Sequence, residues 1–146
     1  MTTANSVGNR TRLVIADDNA QLRDKVLQLL TPEYEVVGAA GDGKAALEAV
    51  SLLKPDIVLL DISMPIMNGI EVAAELRDSE TPAKVVFLTV HEDPDFLRAA
   101  LKVGASGYVV KSQMATDLTD ALNEASAGRS FISPVLALTN GRAGVD

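Results

Sequence analysis

Ile57-Val58-Leu59-Leu60-Asp61 decides the fold: four apolar residues in a row that stop abruptly at a carboxylate. With Pro55-Asp56 before it and Ser63-Met64-Pro65 after it, a run this short reads as a strand buried on both faces. The pattern recurs on either side. Leu13-Val14-Ile15-Ala16 ends at Asp17-Asp18, Val85-Val86-Phe87-Leu88 at Thr89, and Tyr108-Val109-Val110 at Lys111. A fifth stretch, Glu35-Val36-Val37-Gly38-Ala39-Ala40, ends in small residues, as suits an edge strand.

Helical spacing fills the intervals. Leu22, Val26, Leu29 and Leu30 line one face of a helix over 20–30, with Asn19 as its N-cap. Further helices are expected over 44–53, 68–78, 94–103 and 115–127. Pro94 suits a first-turn position, and Gly104 suits a left-handed cap. Alternating strands and helices predict an α/β fold with right-handed crossovers. The expected form is a doubly wound, five-stranded parallel sheet of order 2-1-3-4-5, flavodoxin-like, with its switch point between strands one and three. One domain is expected over 12–130. Residues 1–11 read as a disordered tail and 131–146 as a linker or tail.

The bulk composition narrows the function. The chain has 146 residues, no Cys, one His and a net charge of −7. Thiolate and His-rich metal sites are thereby excluded. An acidic chain without basic clusters is a poor direct partner for nucleic acid. No apolar run approaches a membrane span, and Met1 to Arg10 lacks the apolar middle of a signal peptide. A soluble cytoplasmic protein is expected.

If the strands are parallel, Asp17, Asp18, Asp61, Thr89 and Lys111 meet at the carboxyl edge of the sheet. Three carboxylates so placed repel one another unless a cation intervenes. Oxygen-only ligands favour Mg²⁺, with Mn²⁺ as an alternative. The blander reading is a helix-capping loop at Asp17-Asp18-Asn19, for which one Asp would suffice. Asp61 is a candidate nucleophile toward phosphorus. Lys111 would add positive charge, and the Thr89 hydroxyl a hydrogen bond to a phosphoryl oxygen. Taken singly, Thr89 fits any strand end and Lys111 any solvated surface.

These residues also carry a family resemblance. The Asp17-Asp18 pair, Asp61-Ile62-Ser63-Met64-Pro65-Ile66-Met67-Asn68-Gly69, Thr89, and Lys102-Val103-Gly104-Ala105-Ser106-Gly107-Tyr108-Val109-Val110-Lys111 strongly resemble a bacterial two-component response-regulator receiver domain over about residues 11–128. Ala127-Gly128-Arg129-Ser130-Phe131-Ile132-Ser133-Pro134 resembles the NarL/LuxR-type branch. The resemblance implies that Asp61 accepts a phosphoryl group from a sensor histidine kinase. It implies that Asp18, Asp61 and the Ser63 carbonyl bind Mg²⁺, with Asp17 assisting, and that Thr89 and Lys111 contact the phosphoryl group. Tyr108 would swing inward with Thr89 as the switch. Ser63 and His91 would tune dephosphorylation by gating the attacking water. For His91, an ordinary exposed loop position is the plainer reading. The resemblance further implies transcriptional output through a C-terminal helix-turn-helix and a possible homodimer on phosphorylation. Two departures stand out. Ser112 follows Lys111 where many receivers have Pro, so the peptide isomer is open. Nothing after Pro134 is long enough for a DNA-binding domain, so the chain is a receiver fragment or a stand-alone receiver acting on a protein partner.

Three other classes compete. A magnesium phosphohydrolase would want a second Asp two residues after Asp61, where Ser63 stands, so an enzyme is not expected beyond slow self-dephosphorylation. A silent interaction module would not need the full polar set. A flavin protein would want a Ser/Thr-rich loop after strand one and more stacking aromatics.

Overall fold

The computed structural model describes residues 10–136. The expected tails at 1–9 and 137–146 lie outside the described residues. Six strands form one parallel sheet: β1 (Thr11–Ala16), β2 (Tyr34–Ala40), β3 (Ile57–Leu60), β4 (Lys84–Thr89), β5 (Gly107–Val110) and β6 (Phe131–Ile132), in the order β2-β1-β3-β4-β5-β6. The helices are α1 (Ala20–Leu29), α2 (Gly43–Leu53), α3 (Gly69–Asp78), α4 (Pro94–Lys102) and α5 (Met114–Ser126). The five-strand core therefore has the expected order.

Period-two alternation divides the core between the sheet's two faces. Val58 and Leu60 of β3 join a cluster with Ala46 and Val50 of α2, Val72 and Leu76 of α3, and Ala100 of α4. Ile57 and Leu59 point the other way, to Val26 of α1 and Leu118, Ala121 and Leu122 of α5. Helices thus cover both faces, which is why β3 and β5 are buried along their whole length. No helix among the described residues is long and apolar enough to cross a membrane.

Local chemistry sets where the helices start. The Asn19 side chain accepts from the Gln21 and Leu22 amides and starts α1. Asp42 accepts from the Ala45 amide at the head of α2. Asn68 and Glu71 form a reciprocal capping box on α3. Asp93 caps α4, with Pro94 in its first turn. Gly104, at φ 89°, takes the left-handed turn after α4 that the sequence predicts.

The domain limits need correction. Thr11 already pairs with Tyr34 in the sheet. At the other end, Phe131 and Ile132 pair with Gly107 and Tyr108 of β5, Ser133 is buried, and Leu136 is 1% exposed within the core. The segment 131–136 therefore belongs to the domain, not to a linker. Two strand residues carry no detectable period. They are fixed by the open edge of β5, whose backbone polar groups need partners.

Candidate functional site

Parallel pairing in near-level register brings β1, β3, β4 and β5 to a common carboxyl edge. Ala16 lies opposite Leu60, Leu60 opposite Phe87, and Thr89 opposite Val110. The next residues of three of these strands are Asp17, Asp61 and Lys111, and Thr89 closes β4. One oxygen from each of Asp17, Asp18 and Asp61 lies within 4.8 Å of the other two. Asp17 and Asp61 are buried and Asp18 is exposed.

Lys111, in a short 3-10 turn after β5, reaches back over the edge. Its Nζ stands 2.8 Å from Asp17 Oδ2 and 3.2 Å from Asp61 Oδ2, with only 19% of the side chain exposed. No cis peptide bond occurs among the described residues, so Lys111–Ser112 is trans. Asp17 is oriented by the Asn19 amide, which donates to Oδ1 at 2.8 Å. Asp17 Oδ2 is buried and receives no directed hydrogen bond. That oxygen faces the ammonium as an ion pair and keeps lone pairs for a second cation. Three close carboxylates against one ammonium fit a hard divalent ion, and the donor set is all oxygen.

Burial raises the Asp61 carboxyl above its ordinary value. The Lys111 ammonium opposes the rise, and the Asp17 charge adds to it. At Lys111, burial pulls downward, but the close Asp17 and Asp61 carboxylates outweigh it and hold the ammonium above the ordinary lysine value. The arrangement is a buried carboxylate kept beside an ammonium.

Two glycines set the loop that carries Asp61. A Cβ on Gly69 would lie 2.1 Å from the Asp61 carbonyl oxygen, and one on Gly43 2.0 Å from the Met67 carbonyl oxygen. The Gly69 amide donates to Ile62 O at 2.8 Å and the Gly43 amide to Pro65 O at 3.3 Å. Between them Ile66 adopts φ 71° and is 77% exposed. This β-branched residue carries strain of about 1–2 kcal/mol.

The opposite wall centres on His91. Its amide donates to Thr89 Oγ1 at 3.2 Å, and its carbonyl accepts from the Tyr108 hydroxyl at 2.8 Å. Its Nε2 shares a hydrogen with Ser63 Oγ at 2.6 Å, and the Ser63 amide points at Asp61 Oδ1 at 3.4 Å. His91 therefore links Thr89, Tyr108 and Ser63, which is more than an ordinary loop position. Its ring also stacks on Phe96 of α4, with centroids 4.1 Å apart. That contact had no sequence signal beyond an aromatic five residues on. Tyr108 is fully buried beside Phe87 and is already inward. Burial and the acidic neighbours Asp93, Asp61 and Glu92 push its phenol up to about 12.

The side chains thus gather: Lys111 contacts Asp17 and Asp61, Asp18 brings an oxygen within 4.8 Å of both, and Thr89, Tyr108, Ser63 and His91 form one hydrogen-bonded chain beside them. Residues 13–123 match the family model described as the response regulator receiver domain. The transcriptional regulatory protein DegU of Brevibacillus brevis is 38% identical over 128 residues, 86% of this chain and 54% of that protein. The probable transcriptional regulatory protein NarL of Mycobacterium tuberculosis is 36% identical over 143 residues, covering 97% of this chain and 65% of that one. The chain thus spans between half and two thirds of the length of these relatives. A solved LuxR-family two-component response regulator from an Aurantimonas species superposes with a TM-score of 0.89 at 32% identity, over 94% of this chain and 99% of that one.

Proposed function

The chain belongs to the response regulator receiver domain family, of the NarL/LuxR type, and from that premise we propose that Asp61 is its phosphoacceptor in two-component signalling. The observation that carries the reading is the Lys111 ammonium held 3.2 Å from Asp61 and 2.8 Å from Asp17 in a buried acidic cleft. An Asp61 oxygen attacks the phosphorus of a phosphohistidine on a sensor kinase. The P–N bond breaks, an acyl phosphate forms, and the imidazole leaves with its electron pair and takes up a proton. Lys111 meets the charge on the phosphoryl oxygens from one side, and the Thr89 hydroxyl turns from the His91 amide to donate to one of them. Asp17, Asp18 and Asp61, with the Ser63 main-chain carbonyl, would hold Mg²⁺, or Mn²⁺ in its place. The ion's chemistry there is neutralisation of phosphoryl charge.

The readout follows from His91. A Thr89 hydroxyl drawn to the phosphoryl group no longer accepts from the His91 amide, so the loop that also holds Tyr108 and Phe96 shifts. A few kcal/mol of differential stability suffices for such a switch. Ser63 and His91 stand where water must approach the acyl phosphate and set a slow self-dephosphorylation, which makes the domain a timer rather than a turnover enzyme. The relatives' names point to transcription as the output. The reading adds a DNA-binding domain outside this chain, a homodimer formed on phosphorylation and a cytoplasmic setting. Incubation with acetyl phosphate and Mg²⁺ followed by intact mass measurement tests the reading. The wild-type chain gains one phosphoryl group and Asp61→Asn gains none. Labelling of Asp61→Asn at the wild-type rate would remove Asp61 from the role.

A further inference from the structure

Asp117 is a buried carboxylate that the phosphoryl chemistry above does not use. It stands on α5, and its Oδ2 accepts from the Ser133 hydroxyl at 2.8 Å. Ser133 is itself fully buried. Its Oγ accepts from the Val110 amide at 3.0 Å, and its own amide donates to the Tyr108 carbonyl at 2.9 Å. A single residue beyond β6 therefore grips β5 on both sides of Val109, between Tyr108 and Lys111. The carboxylate gives the grip its direction. The Ser133 hydroxyl donates to Asp117 and is left with a lone pair for Val110 N–H. The carboxylate fixes the hydroxyl's orientation, and what the hydroxyl holds is the residue immediately before Lys111.

We propose that Ser133, aligned by Asp117, is a positioning residue for Lys111. The segment 131–136 is by the same contacts coupled to the acceptor site. Lys111 must serve two carboxylates, at 2.8 and 3.2 Å, from a short turn that starts at the end of β5. The main chain of Val110 is the nearest fixed point behind it. Coupling of this kind is reciprocal: whatever draws Lys111 toward a phosphoryl group at Asp61 also loads the Val110 and Ser133 contacts. The proposal rests on Asp61 being the acceptor, and its test separates the two ideas.

The full chain is labelled with acetyl phosphate and Mg²⁺ over a range of donor concentrations, as wild type and as Ser133→Ala. A misplaced ammonium acts on the transition state more than on donor binding. The limiting labelling rate of Ser133→Ala is therefore expected to fall roughly tenfold, with the half-saturating donor concentration within about twofold of wild type. In parallel, amide hydrogen exchange is followed in the wild type with and without beryllofluoride. The Val110 and Ser133 amides slow together, while Val36 in the distant strand β2 does not respond. This second measurement decides the matter if Ser133→Ala does not fold. A variant labelled at the wild-type rate, or Val110 and Ser133 amides indifferent to beryllofluoride in a chain that does become labelled, overturns the positioning role and leaves Asp61 as acceptor. A wild-type chain that takes no label overturns both.

Discussion

Asp61→Asn is expected to make the domain more stable while abolishing its chemistry, and the magnitude follows from the geometry. At an effective dielectric of about 20, carboxylate oxygens at the 4.8 Å outer limit of their separation repel by about 3.5 kcal/mol, and the 3.2 Å contact with Lys111 attracts by about 5 kcal/mol. Asp61 faces two such repulsions, from Asp17 and Asp18, against one attraction. Screening at exposed Asp18 reduces its share, and desolvation of Asp61 adds to the cost. The net burden is roughly 1–2 kcal/mol, which a neutral amide of the same shape removes. For a chain of this size that is a rise in thermal midpoint of roughly 3–6 °C. The assay is thermal unfolding followed by circular dichroism at pH 7 in a chelator, where no divalent ion compensates the charge.

The pH dependence has a definite sign. The Asp61 carboxyl is raised in the folded state, so it costs nothing below the ordinary carboxylate value, where it is protonated in both states. The penalty grows as pH rises through the folded-state value. The advantage of Asp61→Asn should therefore grow as pH rises through the folded-state value and vanish on acidification toward pH 3.8. Mg²⁺ should then narrow the gap, because the wild type gains about 2.7 kcal/mol at a hundredfold excess over its dissociation constant and the variant gains less. A variant that is less stable than wild type in chelator at pH 7 would refute the reasoning, since Asp61 would then be under net attraction.

Three other outcomes are expected. Gly69→Ala forces a Cβ to within 2.1 Å of the Asp61 carbonyl oxygen; it should cost about 2–3 kcal/mol in denaturant unfolding and slow acetyl phosphate labelling as the carboxylate shifts. Tyr108→Phe removes the hydroxyl bond to His91 O and should cost about 1 kcal/mol near neutral pH. In the wild type, the Tyr108 contribution is present below pH 10 and is lost as pH rises toward about 12, which difference absorbance of the phenolate tests against the variant. His91→Ala removes a ring that covers the Ser63 side of Asp61 and should shorten the acyl phosphate lifetime about threefold, a barrier change of about 0.65 kcal/mol; an unchanged lifetime would discard the gating role.

Much of the site could be read directly because strand ends announce themselves. An apolar run that breaks at a charge, as at Leu60-Asp61 or Val110-Lys111, marks both the strand and the edge where the charge lands. Asn19, Pro94 and Gly104 were equally plain, since each acts on backbone within a few residues. What stayed hidden was nonlocal. The pairing of Phe131–Ile132 depends on the vacant edge of β5, not on any period of its own. The Asp117–Ser133 contact joins residues 16 apart through a fold that had first to exist. The family resemblance singles out His91, but its stacking on Phe96 depends on how the 90–93 loop folds over.

The glycine seats at Gly43 and Gly69 make the cleft a vice with one fixed jaw. There, main chain rests on main chain without a side chain between, so Asp61 cannot retreat without lifting two helix heads at once. The jaw facing it, from Val90 to Asp93, hangs on a few hydrogen bonds and one ring stack. On the proposed reading, the work done by a phosphoryl group added at Asp61 would be delivered to the α4 side of the molecule, and the direction of the signal would be set before a partner arrives.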